Sequence, residues 1–383
     1  MRSLYAIASQ FGGPGIGTTS RHAAEGLFRA GHLAQLMALG FEKTPVDAAL
    51  QRRVRFWPDG VRRFVGDAEY FEKKNRHFDK AVRDALSEGF DTFHAWNSQA
   101  SEAVAEAKRR GLRVVIDRAS THIRTQTRIL AEGYARYMIP FQPPKPEVME
   151  RCLADYDNAD LVTVPSDAAF QSFLDQGFPR DRLVLNPFGA DFREDAPLAT
   201  QEDRSTFRVL FVGQLSLRKG VLDLLHAWDR LRVPSKQLTL VGTPEPALEE
   251  RLEFWRGRPD IVFAGWSRDV PRHMAAAHVF CFPSLEEGSA LVTYEAMHHG
   301  LPMIVTREAG SVAEDEVSAL FVKPANPAFL AQALLRLHDD RDLADRLGRA
   351  ARERLRAYPW CAYGDRTAQT HERLVSPAKS GAA

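Results

Sequence analysis

Short apolar runs alternate with amphipathic stretches along nearly the whole chain. Residues 3–9, 90–95, 112–116 and 161–164 are apolar runs of strand length, and helix-spaced patterns cover 20–30, 100–110 and 147–157. A polar interval, 196–206, contains proline and lacks periodicity, so it reads as an interdomain linker. The alternation then restarts, with strands at 208–212, 237–241, 261–263, 279–282, 303–306 and 319–322. Helix patterns fall between them, at 247–255 and 270–276, and after them at 327–338 and 342–356. Another follows the first of these strands, with Val221, Leu224, Leu225, Trp228 and Leu231 at a spacing near 3.6. Repeated strand–helix alternation implies parallel sheets with helices on both faces, here in two α/β halves.

The chemistry concentrates at strand ends. The first strand runs into Gly12-Gly13-Pro14-Gly15-Ile16-Gly17 and then a helix pattern, the arrangement by which Rossmann-like halves approach phosphate. Thr18 breaks the Gly-x-Gly-x-x-Gly spacing, so a dinucleotide site is weakly supported and a tight turn without ligand stays open. His94 and His122 follow successive strands, where open α/β sheets place ligands; a lone histidine is more often structural. Arg218 and Lys219 stand before a helix, after Gly213. Two cations beside the positive end of a helix make sense if a diphosphate sits there; a surface pair is the alternative.

The densest stretch is residues 280–300, FCFPSLEEGSALVTYEAMHHG. Pro283-Ser284 stops a strand, Glu286-Glu287-Gly288 forms a short acidic loop, and a helix is expected from Ser289 to about Gly300. Its first-turn N–H groups would face an anion that Gly288 lets come close. Glu295, two turns in, would present a carboxylate suited to a ribose diol. A glutamate-rich loop before an ordinary helix is the plain alternative.

Pro283, Ser284, Glu287, Gly288, Glu295 and Ala296 together resemble the Glu-x7-Glu signature of retaining family 4 glycosyltransferases with the GT-B fold. Ser289-Ala290 replaces the family's usual Phe-Gly, and Gln214 stands where an arginine is frequent, a charge Arg218 would supply. The resemblance implies two Rossmann-like domains facing across a cleft. Residues 1–195 would form the acceptor side, completed by a C-terminal helix at 359–375, and residues 207–357 the donor side. It implies a hexosyltransferase using a UDP- or GDP-sugar as substrate, with no cofactor and no metal, and a glycan, lipid-linked or small-molecule acceptor. Lys219, Glu287 and His122 would serve the chemistry. Gly213, Arg218, Gly220, Gly242, Trp266, Gly288, Glu295 and the backbone of Ser289, Ala290, Leu291 and Val292 would hold the donor. Gly13, Gly15, Gly17 and His94 would face the cleft. Same-fold epimerases or phosphorylases, and a catalytically silent nucleotide-sugar binder, are the rivals.

Composition narrows this further. Lys+Arg number 51 against 50 Asp+Glu, which argues against wholesale nucleic-acid binding. Three scattered cysteines fit a reducing compartment, and no apolar run reaches membrane-spanning length, so a cytoplasmic protein is expected. Residues 51–80 mix cations with aromatics, among them Arg53, Arg55, Trp57, Arg62, Arg63, Phe71 and Lys74. Such a mixture can hold anionic lipid, polyphosphate or acidic glycan and would allow peripheral contact with a membrane; more often it is an amphipathic surface with snorkelling cations. Asp155-Tyr156-Asp157 has the Asp-x-Asp form of manganese sites but falls at a helix end, where a solvated face is expected. Residues 376–383 read as a disordered tail.

Overall fold

A computed structural model describes residues 1–57, 59–61, 64, 67–86, 89–194, 198–199 and 205–375. Most of the expected linker 196–206, the tail 376–383, and Arg62 and Arg63 lie outside them.

The first half contains β1 (Ser3–Phe11), α1 (Ile16–Arg29), β2 (Leu33–Phe41), β3 (Gln51–Arg53), α2 (Asp67–Ala85) and β4 (Thr92–Trp96). It continues with α3 (Ser101–Arg109), β5 (Arg113–Asp117), α4 (Ile123–Arg136), α5 (Pro146–Asn158), β6 (Leu161–Val164), α6 (Asp167–Leu174) and β7 (Leu183–Leu185). The second half contains β8 (Phe207–Val212), α7 (Val221–Arg230), β9 (Lys236–Val241), α8 (Glu249–Leu252), β10 (Ile261–Gly265) and α9 (Val270–Ala275). Then come β11 (Val279–Phe282), α10 (Leu291–His298), β12 (Met303–Val305), β13 (Leu320–Phe321), α11 (Pro327–Asp339), α12 (Arg341–Leu355) and α13 (Trp360–Val375).

These strands form two parallel sheets, of seven strands in the order β3-β2-β1-β4-β5-β6-β7 and of six in the order β10-β9-β8-β11-β12-β13. Central strands are largely apolar because helices cover both sheet faces; all four residues of β11 are buried. Strand order reverses between β1 and β4 in one sheet and between β8 and β11 in the other. Crevices outside the carboxyl ends of strands at such reversals are where open α/β sheets bind ligands. The glycine loop after β1, the cationic loop after β8 and the acidic loop after β11 all begin at these points.

One apolar cluster runs from Tyr5, Ile7 and Leu27 through to Leu210, Phe280 and Ile304, so the two sheets share a core. The last helix, α13, returns to the first sheet and packs on α1. The two helices cross at glycines: a Cβ on Gly26 would lie 2.1 Å from the Gly364 carbonyl oxygen, so neither position admits a side chain without separating the helices. Buried His371 anchors α13 further. Its Nδ1 lies 3.2 Å from Ser3 Oγ and 3.0 Å from Thr92 Oγ1, and its Nε2 3.0 Å from His94 Nδ1.

Some local expectations are corrected. The helix at 247–255 shrinks to α8 after a 3₁₀ turn at Pro246–Leu248. Residues 51–80 include the start of a 19-residue helix, α2, that an amphipathic label alone did not separate from its flanks. Asp155 is not on a solvated face. It is buried on α5, accepting from Ser98 N–H at 2.5 Å and Asn97 Nδ2 at 3.0 Å, and burial pushes its carboxyl up to about 7 against those donors.

Gly26→Val should force α1 and α13 apart at a cost of about 2 kcal/mol, the usual scale of overpacking. Thermal unfolding followed by circular dichroism checks this; an unchanged midpoint would show that the crossing is loose.

Candidate functional site

The loop after β8 brings Arg218 and Lys219 to the acidic loop after β11. Lys219 Nζ lies 2.7 Å from Glu287 Oε1 and 5.1 Å over the Phe282 ring. Arg218 points elsewhere. Its Nη2 is 2.8 Å from Glu286 Oε2 and 3.3 Å from Ser120 Oγ, its Nε donates to the Glu286 carbonyl at 3.0 Å, and Glu287 is 3.8 Å away. One of the two expected diphosphate cations, Arg218, is thus engaged at the domain interface, and Lys219 is the cation beside Glu287.

Glu286 has no exposed surface. Its Oε1 accepts from Ser120 Oγ at 2.7 Å, Thr121 N–H at 2.9 Å and Thr121 Oγ1 at 2.8 Å, and its Oε2 from Gln126 Nε2 at 3.1 Å. Burial alone would raise this carboxyl, but Arg218 and the surrounding donors prevail and hold it below the ordinary range. Gly288 makes the contact sterically possible, since a Cβ there would lie 2.2 Å from the Ala119 carbonyl oxygen. Ser166 Oγ donates to the Gly288 carbonyl at 2.5 Å. Helix α4 adds three bonds to the second domain: Tyr134 OH donates to Glu245, Tyr137 OH to Asp223 at 2.8 Å, and Arg136 pairs with Asp223 at 2.9 Å.

Helix α10 starts at Leu291, two residues later than expected, because Ala290 N–H is taken by the Ala309 carbonyl at 3.0 Å and Ser289 Oγ donates to the Gly310 carbonyl at 2.8 Å. Of the four expected backbone donors, Ala290 is therefore spent, while Leu291 and Val292 N–H have no recorded acceptor among the described residues. Glu295 follows one turn on and is exposed to a cavity of about 540 Å³ between the domains. Leu291 and Val270 share its wall, and Pro14, Gly15 and Thr18 from the glycine loop face them. Burial by the surrounding protein raises the Glu295 carboxyl above its usual range.

The other expected residues divide. Gly13 and Gly17 shape the turn that carries Gly15, through Gly13 N–H to the Gln10 carbonyl at 3.2 Å and Gly12 N–H to the Gly17 carbonyl at 2.9 Å. Gly213 and Gly242 lie against each other beneath the site, and Gly220 caps α7. Trp266 is exposed and lies outside this cavity's lining. The two histidines are corrections. His94 is buried between His371 and Asp117, whose Oδ2 is 3.0 Å from its Nε2, because α13 covers that end of β4. His122 is buried too. Its Nδ1 accepts from Arg124 N–H at 3.3 Å at the start of α4, and its ring meets Tyr156 and Phe173. Neither side chain faces the cleft. Glu286 and Ser120 were passed over in the sequence. The one signal was charge doubling, since an Arg-Lys pair invites a Glu-Glu pair and both members are used.

The fold is GT-B: the chain superposes on sucrose-phosphate synthase from Thermosynechococcus elongatus with a TM-score of 0.71 at 20% identity, covering 97% of this chain and 98% of that one. HepE from Anabaena, solved with UDP-glucose, matches with a TM-score of 0.64 at 16% identity over 98% of this chain and all of that one. Residues 14–189 match the model for the glycosyl transferase 4-like domain and residues 206–340 that for glycosyl transferases group 1. The chain belongs to this group 1, family 4-like set of glycosyltransferases. Among curated relatives, the MMP alpha-(1->4)-mannosyltransferase of Mycolicibacterium hassiacum is 33% identical over 228 residues, 57% of this chain and 54% of that protein. The D-inositol 3-phosphate glycosyltransferase of Corynebacterium glutamicum is 30% identical over 239 residues, 54% of this chain and 55% of that protein. The matched part spans about half the length of these two relatives. Among the described residues no helix is long and apolar enough to cross a membrane.

Glu286→Gln keeps the shape but leaves Arg218 without its nearest counter-charge. Breaking a buried pair from one side costs about 3 kcal/mol or more. Urea unfolding of the variant should show a loss of that size, whereas a loss below about 1 kcal/mol would mean that Glu287 takes over the pairing.

His122 gives a pH dependence. Burial, then Arg118 and Arg124, lowers it from 6.5 to about 4, so the folded state resists its protonation. Its contribution is fully present above the unfolded value and is lost as pH falls towards 4, up to ~3 kcal/mol. The drop in stability between pH 6.5 and 4 should shrink in His122→Gln; an identical pH profile for both proteins would remove His122 as its source.

Proposed function

We propose that the chain is a retaining glycosyltransferase that moves a hexose from a UDP- or GDP-sugar to a carbohydrate, lipid-linked or small-molecule acceptor. The observation that carries this is the interdomain cavity. The Glu295 carboxylate and Leu291, whose backbone N–H is unspent, line one wall, and a glycine loop from the other domain lines the opposite side. A nucleoside fits that chemistry, with Glu295 gripping the ribose diol and the α10 N-terminus turned towards phosphate. The UDP-glucose seen in HepE supports a nucleotide-sugar donor.

Lys219 would meet the diphosphate. Its ammonium is held by Glu287 in this state, and an arriving diphosphate would take over that charge and release Glu287 to the sugar hydroxyls. As the glycosidic bond breaks, negative charge grows on the leaving diphosphate, and Lys219 stabilises it. The acceptor hydroxyl would attack from the side the diphosphate leaves and give its proton to a diphosphate oxygen, which retains the anomeric configuration. Fixed cation and backbone donors would do the work of a metal ion. Arg218 acts through Glu286 and the domain interface.

Lys219 and Glu295 should fail differently. Lys219→Ala should lower kcat by roughly 10²- to 10³-fold, since its interaction grows in the transition state. Glu295→Gln should mainly raise the donor KM, because the ribose is unchanged by the reaction. Steady-state kinetics with varied donor, and calorimetric binding of UDP and GDP, separate the two. Loss of kcat in Glu295→Gln with nucleotide affinity intact would reassign that residue; near-normal kinetics in Lys219→Ala would move the diphosphate elsewhere.

A further inference from the structure

A second recess, of about 600 Å³, opens at the carboxyl ends of β1 and β2, on the first domain alone. Ser9, Gln10 and Leu39 form its floor, and the segment after β3 and the face of α2 form its walls. Three of its lining residues are cations, Arg53, Arg55 and Lys74, and none is an acid. This is a local imbalance in a chain with 51 basic and 50 acidic residues. On the same helix Lys73 pairs with Glu69 at 2.7 Å and Arg76 with Glu72 at 2.8 Å. Arg53 and Arg55 form no ion pair among the described residues; Arg53 Nε donates to the Leu39 carbonyl at 3.0 Å, which fixes the guanidinium at the wall.

The remaining lining is aromatic and braced. Phe56 stacks on Trp57 at 5.3 Å and meets Tyr70 edge-on at 5.5 Å, and Tyr70 OH donates to the Trp57 carbonyl at 2.8 Å. Trp57 and Phe71 keep exposed ring surface, and the ammonium groups of Lys73 and Lys74 lie over them at 5.5 and 4.6 Å from the ring centroids. Two guanidinium groups, one of them fixed, beside partly exposed aromatic rings suit an anionic group carried on a ring that packs on their edges. The recess also adjoins the donor cavity through the chain itself. Gln10 is in its floor, the Gln10 carbonyl receives Gly13 N–H, and Pro14 and Gly15 line the cavity that holds Glu295. One short loop thus has a ligand-sized space on either side.

We propose that this recess is the acceptor subsite and that it selects a sugar or polyol ring bearing a phosphate or carboxylate. This rests on the glycosyltransferase reading of the cleft and adds the charge class of its acceptor. A concave space of this size fits a small ring better than a membrane plane, which a convex, protruding cationic face would suit.

The test is calorimetry on the full chain with glucose 6-phosphate, glucuronate and glucose, each with and without saturating UDP. Both anions should bind at least about tenfold more tightly than glucose, the scale of one charge-assisted hydrogen bond. The difference should shrink as salt is raised. Arg53→Ala/Arg55→Ala should remove the preference for anions while leaving UDP binding unchanged, and Trp57→Ala should weaken all three sugars. Equal affinity for glucose and its phosphate, or an undiminished preference in the double variant, would overturn the proposal. So would tight binding to phosphatidylcholine–phosphatidylglycerol (7:3) vesicles that glucose 6-phosphate fails to compete, which would make the patch a lipid surface. Failure of the donor reading is seen separately, as absence of UDP and GDP binding in the same preparation.

Discussion

A carboxylate with no access to solvent stands at the centre of the junction between the two halves of this molecule. Glu286 leaves the donor-side loop and takes hydrogen bonds from Ser120, Thr121 and Gln126 of the opposite domain, while Arg218 neutralises it. A buried charge is tolerable only when its partners are in place, so the contact is costly unless several groups from both domains assemble together. This all-or-nothing character fixes the height of the acidic loop above the first sheet. It therefore sets where the next residue, Glu287, stands relative to Lys219.

That arrangement explains a division of labour between adjacent residues. Arg218 and Lys219 are consecutive, as are Glu286 and Glu287, yet Arg218 pairs with Glu286 at the domain interface while Lys219 pairs with Glu287. Successive side chains in a loop diverge, so a doubled charge supplies two separate ion pairs. The candidate site draws on strand ends at the reversal points of both sheets.

Much of the fold was legible beforehand, and the reason is the parallel sheet. Strands buried on both faces are continuous apolar runs, so β6 and β11 fell at their expected residues and β8 and β9 within one residue. Helix α4 was not read at all. Tyr134 and Arg136 of this helix are engaged by the opposite domain, a role that periodicity within the chain does not announce. Glu295 and Gly15, singled out from local spacing and the glycine loop, line the interdomain cavity, and Lys219 lies beside Glu287. His94 and His122 misled because a strand end is only a candidate position: whether it opens on the cleft depends on which helix later covers it. Here α13 covers one, and the start of α4 turns the other inward.

The return of α13 has a bearing on how the protein is made. Thr92 Oγ1 meets a histidine 279 residues further along the chain. Synthesis runs from the amino end, and domains ordinarily fold in that order as they emerge. Here the half that is translated first cannot close its packing until the other half has been made and the last helix has left the ribosome. Until then Ser3, Thr92 and the glycine face of α1 wait uncovered, and any chaperone that attends nascent chains would find its longest-lived target at the oldest end of the polypeptide.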